Sequence, residues 1–151
     1  MAAVGKVDEN LVRRFLRHPF FATKPPKSLD RDMWKNVLHE DMRATAGAAT
    51  LTMMTVGGIV AGLEFLPSPP RHLYLTGGGR HNHTMMRWIG ELSGLPVSSV
   101  DDLGWSGDGL EAEAFAYLAV RSKLGLPLSV PGTTGVPEPM CGGTFYKADK
   151  S

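Results

Sequence analysis

The chain has 151 residues, of which 42% are hydrophobic and 21% charged, and a formal net charge of +1. That length and apolar content suit one domain or a piece of a larger one and exclude gross disorder. The near-neutral balance gives no global field for nucleic acid or an anionic membrane, and the single cysteine, Cys141, excludes an internal disulfide framework and fits a reducing compartment.

Residues 1–10 carry charges and no long apolar core, so no secretory signal is read there and a cytoplasmic location is expected. Asp8 is placed to cap a helix running to about residue 18, with Leu11, Val12, Phe15 and Leu16 on one stripe and Arg13, Arg14 and Arg17 outside it. His18-Pro19-Phe20-Phe21 ends that helix and sends aromatic rings into a core. Residues 23–28 read as an extended loop, because Pro25 and Pro26 disfavour helix before them. Asp30 then caps a second short helix carrying Met33, Trp34, Val37 and Leu38.

A long helix is predicted from about residue 40 to 65. Its first half is dominated by small residues that permit close approach, and Gly57-Gly58 is a place to kink or break it. The same stretch is the most membrane-like of the chain, but Thr45, Thr50, Thr52, Thr55, the glycines and Glu64 interrupt it, and it reads as a buried helix. Pro67-Ser68-Pro69-Pro70 forms a stiff linker into a strand at about 72–76. A helix over 83–93 turns Met85, Met86, Ile89 and Leu92 inward, and residues 95–100 form a second short strand. After a Gly- and Asp-rich loop, a helix over 110–123 places Leu110, Ala114, Phe115, Leu118 and Ala119 on one side, and Gly125 caps it. From Pro127 onward no clear regular element is predicted. The order helix, strand, helix, strand, helix implies an α/β unit with a parallel pair, and two strands make a very small sheet.

Gly77-Gly78-Gly79 lies between a strand and a helix. Such glycines serve either a tight turn or a loop where the backbone approaches a ligand, and the following helix N-terminus suits a phosphate. No Gly-Lys-Ser/Thr follows, so it is not a Walker A loop. Gly77 and Gly79 fill two positions of the dinucleotide fingerprint, but Asn82 stands at the third, where close helix–strand packing calls for glycine. Asp101 or Asp102 could imitate the ribose-binding acid of that rival reading. Asn82 itself reads as a helix cap or a ligand-facing amide. His72, His81 and His83 lack further ligands at metal-site spacing, so no metal site is assigned. Glu111 shares a stripe with Phe115 and Leu118, which are expected inside, and a carboxylate there suits a hydroxylated substrate; Glu113 points outward. Lys27 reads as a solvated charge or a substrate-facing one. No catalytic residue is assigned, and Cys141 has no convincing base partner.

Several motifs in order resemble one family, the anhydro-N-acetylmuramic acid kinases of the sugar kinase/Hsp70/actin-like group. Phe20-Phe21 with Pro25-Pro26-Lys27-Ser28 is similar to the family's aromatic–PPKSTGR segment, and residues 73–82 to its strand–GGG-x-x-N loop. Glu111-Ala112 with residues 114–119 is similar to its EAxAFAxLA helix, and Pro131 with Thr134-Gly135-Val136 to its P-x-x-TGA segment. Leu29-Asp30 replaces the usual Thr-Gly, and Arg31 is retained.

The resemblance implies a partial actin-like (ribonuclease H-like) ATPase domain with short parallel strands and a helical insertion. It would divide into the insertion (1–39), an α/β unit (40–126) and a tail (127–151). It also implies ATP and Mg2+, ring opening of anhydro-N-acetylmuramic acid and O6 phosphorylation in cell-wall recycling. Gly77, Gly78, Gly79 and Asn82 would line the nucleotide site, Glu111 would face the amino sugar, and Lys27 and Ser28 would lie on the cleft side. The family's GTSxDG-like phosphate loop and catalytic aspartate are not found in this sequence. The chain then resembles the carboxy-terminal part and is expected to be inactive alone, with an exposed sheet edge that favours self-association or the missing amino-terminal half as partner. The alternatives are a non-catalytic binding or assembly module of the same fold, and a small Rossmann-like dinucleotide binder.

Overall fold

Asp8 starts the first helix in the expected way. In the computed structural model, which describes residues 1–28, 30–34 and 37–147, helix α1 spans Glu9–Leu16 and the Asp8 carboxylate accepts the Asn10 and Leu11 amides at 2.9 Å each. Leu11 and Val12 are buried and Arg13, Arg14 and Arg17 are exposed. The chain does not simply stop at His18. His18 Nδ1 accepts the Phe20 amide at 3.2 Å, and proline at the first helical position starts a short helix α2, Pro19–Ala22. Rings of Phe15, Phe21 and Trp34 then pack together, with Phe15 at 4.8 Å from Phe21 and 4.5 Å from Trp34. Asp30 caps a single 3₁₀ turn, Arg31–Trp34, shorter than the helix expected there; Leu29, Lys35 and Asn36 lie outside the described residues.

Helix α3 spans Ala44–Gly62 and runs on into a 3₁₀ turn, Leu63–Phe65. It begins later than expected and passes unbroken through Gly57-Gly58. Those glycines make room rather than a break: a Cβ on Gly57 would meet Leu16 Cδ1 at 2.9 Å, and one on Gly58 would meet Phe21 Cε1 at 3.2 Å. Over Ala44–Phe65 the segment is long and apolar enough to cross a membrane by length and composition. In this structure it is the central helix of its unit, packed against α1 and α2 and against helix α4, His83–Ser93. Ala49 and Val56 are fully buried in it.

Strands β1, Leu73–Leu75, and β2, Val97–Ser99, pair in parallel with Leu73 opposite Val97 and Leu75 opposite Ser99. Helix α4 connects them, packing on both α3 and β2. Ile89 is its fully buried residue, and Gly94 ends it in the left-handed conformation (φ 69°). Leu92 does not follow Ile89 inward: it is 48% exposed, because the contact stripe of α4 is narrower than its periodicity suggests.

The chain forms two compact units, Met1–Asp108 and Gly109–Ser151. The second holds helix α5, Leu110–Lys123, with the predicted bounds, and a helix that was not predicted, α6, Pro131–Thr134, started by Pro131 and ended by Gly135 at φ 75°. Ser129 and Met140 form an isolated antiparallel bridge, so the tail is more regular than its Pro/Gly content suggested. The fold is thus mixed α/β with a short two-stranded parallel sheet.

Candidate functional site

Because β1 and β2 run parallel, the segments leaving their carboxyl ends lie at the same end of the sheet, the place where open α/β sheets bind ligands. After β1 comes Gly77 at φ 72°, ψ −178°, a conformation open almost only to glycine, followed by a 3₁₀ turn over Gly78–His81. After β2 comes a second 3₁₀ turn, Val100–Leu103, and a loop through Asp108. The two segments are joined by their backbones. The Gly107 carbonyl accepts both the Gly77 amide and the Thr76 hydroxyl, each at 3.2 Å.

Arg80 is the centre of this arrangement. Its side chain is 4% exposed. Nε donates to Asp101 Oδ2 at 2.8 Å, and Nη1 donates to Asp108 Oδ1 at 2.7 Å and to the Gly77 carbonyl at 3.0 Å. Asp101 Oδ2 also accepts the Ser99 hydroxyl, and Oδ1 accepts the Gly107 amide at 3.0 Å. Asp108 and then Asp101 hold the guanidinium even more firmly charged than usual. The Ser99 hydroxyl, Arg80 and the Gly107 amide together keep the Asp101 carboxyl well below the ordinary carboxylate range, and Arg80 followed by His81 lowers that of Asp108. Gly107 is the residue that lets Arg80 lie there, since a Cβ would sit 2.7 Å from Arg80 Cζ.

The structure brings Gly77, Gly78, Gly79 and Asn82 together in one turn. Added Cβ atoms at Gly77 and Gly78 would have no neighbour within 4 Å, so that surface of the loop is open; at Gly79 one would touch Met85 Sδ at 3.4 Å. Asn82 Oδ1 accepts the Met85 amide at 3.1 Å and caps α4, which leaves its NH₂ as the group able to face outward. Of the two candidates for a ribose-binding acid, Asp101 has both oxygens engaged within the loop, and Asp102 is exposed in the turn beside it.

Lys27 is placed elsewhere. Its ammonium donates to the Phe20 and Phe21 carbonyls at 2.8 and 3.2 Å and lies 4.6 and 4.3 Å over the rings of Phe20 and Phe65. It closes the end of α2 and ties it to the Leu63–Phe65 turn, so it is not a free solvated charge. Ser28 is exposed beside it. Glu111 lies in the other unit, exposed in the first turn of α5 with Glu113. The buried stripe expected around it is not there: Phe115 is 65% exposed, Ala114 and Ala119 are exposed, and only Leu110 and Leu118 are half-buried. Among the described residues, no three His, Cys, Asp or Glu converge as metal ligands.

Arg80 was not singled out from the sequence. An arginine in a polar glycine loop looks solvated, and the signal that marks it is the pair Asp101 and Asp108, distant in the chain and visible only once β1 and β2 are paired.

Comparison with known proteins decides what this loop belongs to. The family model for anhydro-N-acetylmuramic acid kinase matches residues 1–148. The chain belongs to the anhydro-N-acetylmuramic acid kinase family. It is 51% identical over 148 residues to an anhydro-N-acetylmuramic acid kinase of Rhodopseudomonas palustris (strain HaA2), covering 97% of this chain and 40% of that protein. The kinase of Brucella anthropi is 47% identical over 143 residues, covering 95% of this chain and 38% of that protein. The kinase of Mesorhizobium japonicum is 45% identical, again with 38% of its length covered. The chain therefore spans about two-fifths of the curated anhydro-N-acetylmuramic acid kinases it matches, and the motifs quoted from residues 20–28, 73–82, 111–119 and 131–136 all fall inside the matched region.

Proposed function

We propose that this chain forms one wall of the nucleotide cleft of an ATP-dependent anhydro-N-acetylmuramic acid kinase, the carboxy-terminal part of an actin-like fold acting in the cytoplasm. One observation carries it: an open glycine turn, held in a fixed shape, at the carboxyl ends of a parallel strand pair. The Gly78 and Gly79 amides start a 3₁₀ turn and have no intrahelical acceptors there, which is the donor set a phosphate takes. Gly77, Gly78, Gly79 and the Asn82 amide would hold the nucleotide. Glu111, exposed at the start of α5, would accept hydroxyl hydrogen bonds from the amino sugar, and Lys27 and Ser28 would stand on the cleft side. The division into a helical insertion (1–39), an α/β unit (40–126) and a tail (127–151) belongs to the same proposal.

Magnesium would accompany ATP in such a kinase. Among the described residues no three candidate ligands converge, and Asp101 and Asp108 each hold Arg80, so no magnesium ligand is assigned to this wall. What this wall contributes is binding and orientation of the phosphates. Phosphoryl transfer also needs an activated nucleophile and charge stabilisation from the facing side. The chain by itself is therefore expected to show no phosphorylation of anhydro-N-acetylmuramic acid in a coupled ADP assay.

Calorimetric titration with ATP, and separately with NAD, tests the assignment. Heat with ATP and none with NAD is the expected outcome. Heat with NAD alone would favour a dinucleotide binder, and no heat with either would remove the nucleotide assignment and leave a non-catalytic assembly module.

A further inference from the structure

We propose that Arg80 is a positioning residue of the glycine loop: one buried guanidinium fastens the turn after β1 to both ends of the loop after β2, so that the phosphate-facing amides are set before any ligand arrives. The inference rests on the nucleotide assignment above and adds what holds that site in shape. Arg80 grips Asp101 at the beginning of the 101–108 loop, Asp108 at its end, and the Gly77 carbonyl on its own side. The planar fork of arginine makes these three contacts at once; a lysine ammonium in the same place is a compact point charge on a flexible stem and cannot reproduce the fork. Gly107 completes the junction through its amide to Asp101 and its carbonyl to Gly77 and Thr76, and it must lack a side chain for Arg80 to fit. The two loops therefore cannot change shape independently. A loop ordered in advance spares the ligand the cost of ordering it, and that saving appears as affinity.

The test uses the whole chain as wild type, Arg80→Lys and Asp108→Asn. Hydrogen–deuterium exchange is followed in peptides covering 76–82 and 100–108, and ATP affinity is measured by titration. Both variants are expected to speed exchange in the two segments together while leaving α3 unchanged, and to weaken ATP binding about three- to tenfold. The Asp108 side chain is 77% exposed, so Asp108→Asn should keep the melting temperature within about 2 °C of wild type. A role confined to stability would move the melting temperature and spare the affinity, the reverse of this pattern. Unchanged exchange in both variants, or a change in one segment only, overturns the lock. Faster exchange with wild-type affinity overturns the positioning role. If the wild-type chain binds no ATP, the nucleotide assignment fails and takes the positioning role with it, while the exchange data still decide whether Arg80 locks the loops.

Discussion

Gly107 and Gly78 look alike in sequence and differ completely in what they tolerate. Alanine at 107 drives a Cβ into the Arg80 guanidinium, with Cζ at 2.7 Å and Cδ at 2.8 Å, and neither atom can withdraw without loosening the ion pairs. Gly107→Ala is expected to destabilise the unit by about 1–3 kcal/mol, read as a lower urea midpoint at constant m-value. Gly78→Ala meets open space and should leave that midpoint within about 0.5 kcal/mol of wild type, while obstructing the surface offered to a phosphate. The same cluster sets an acid limit. Asp101 and Asp108 are held below the ordinary carboxylate value of 3.8, so near that value the unfolded chain binds more protons than the folded one. Their contribution is complete above that value and is lost as pH falls beneath it, through the depressed values. Urea midpoints taken at about pH 5 and about pH 3 should fall for wild type and fall less for Asp101→Asn.

At the scale of elements, the helices with a cap signal at their start were legible and the reach of their buried faces was not. Asp8 and Asn82 announce α1 and α4 because a short side-chain acceptor must meet the free amides of a first turn, and both do so. Removing the first of these caps, Asp8→Ala, should cost about 1 kcal/mol in chemical unfolding. Periodicity says which residues share a face; it cannot say whether anything covers that face. Ile89 and Phe115 both sit on apolar stripes, but α4 lies between α3 and β2 whereas much of α5 faces solvent. Ile89→Ala is therefore expected to cost about 2–5 kcal/mol and Phe115→Ser less than about 0.5 kcal/mol, measured side by side by urea unfolding. Gly57-Gly58 carries the same lesson. Two glycines in a helix signal either a break or a close approach, and only the positions of Leu16 and Phe21 decide for the second. The glycine loop was legible as a turn between strand and helix, but its lock was not, since Arg80 finds Asp101 and Asp108 only through strand pairing.

Over the whole molecule, the two units separate the chain's natural probes. All three tryptophans, Trp34, Trp88 and Trp105, fall in Met1–Asp108, and the sole cysteine, Cys141, is exposed in Gly109–Ser151. A thiol-reactive dye consequently labels one known site in the unit that contains no tryptophan. Energy transfer from indole to dye then reports the separation between the units in the unmutated chain, and its response to added ATP or amino sugar can be followed in a cuvette. The chain thus supplies its own donors and a single attachment point for the acceptor, a spectroscopic ruler that needs no engineered cysteine.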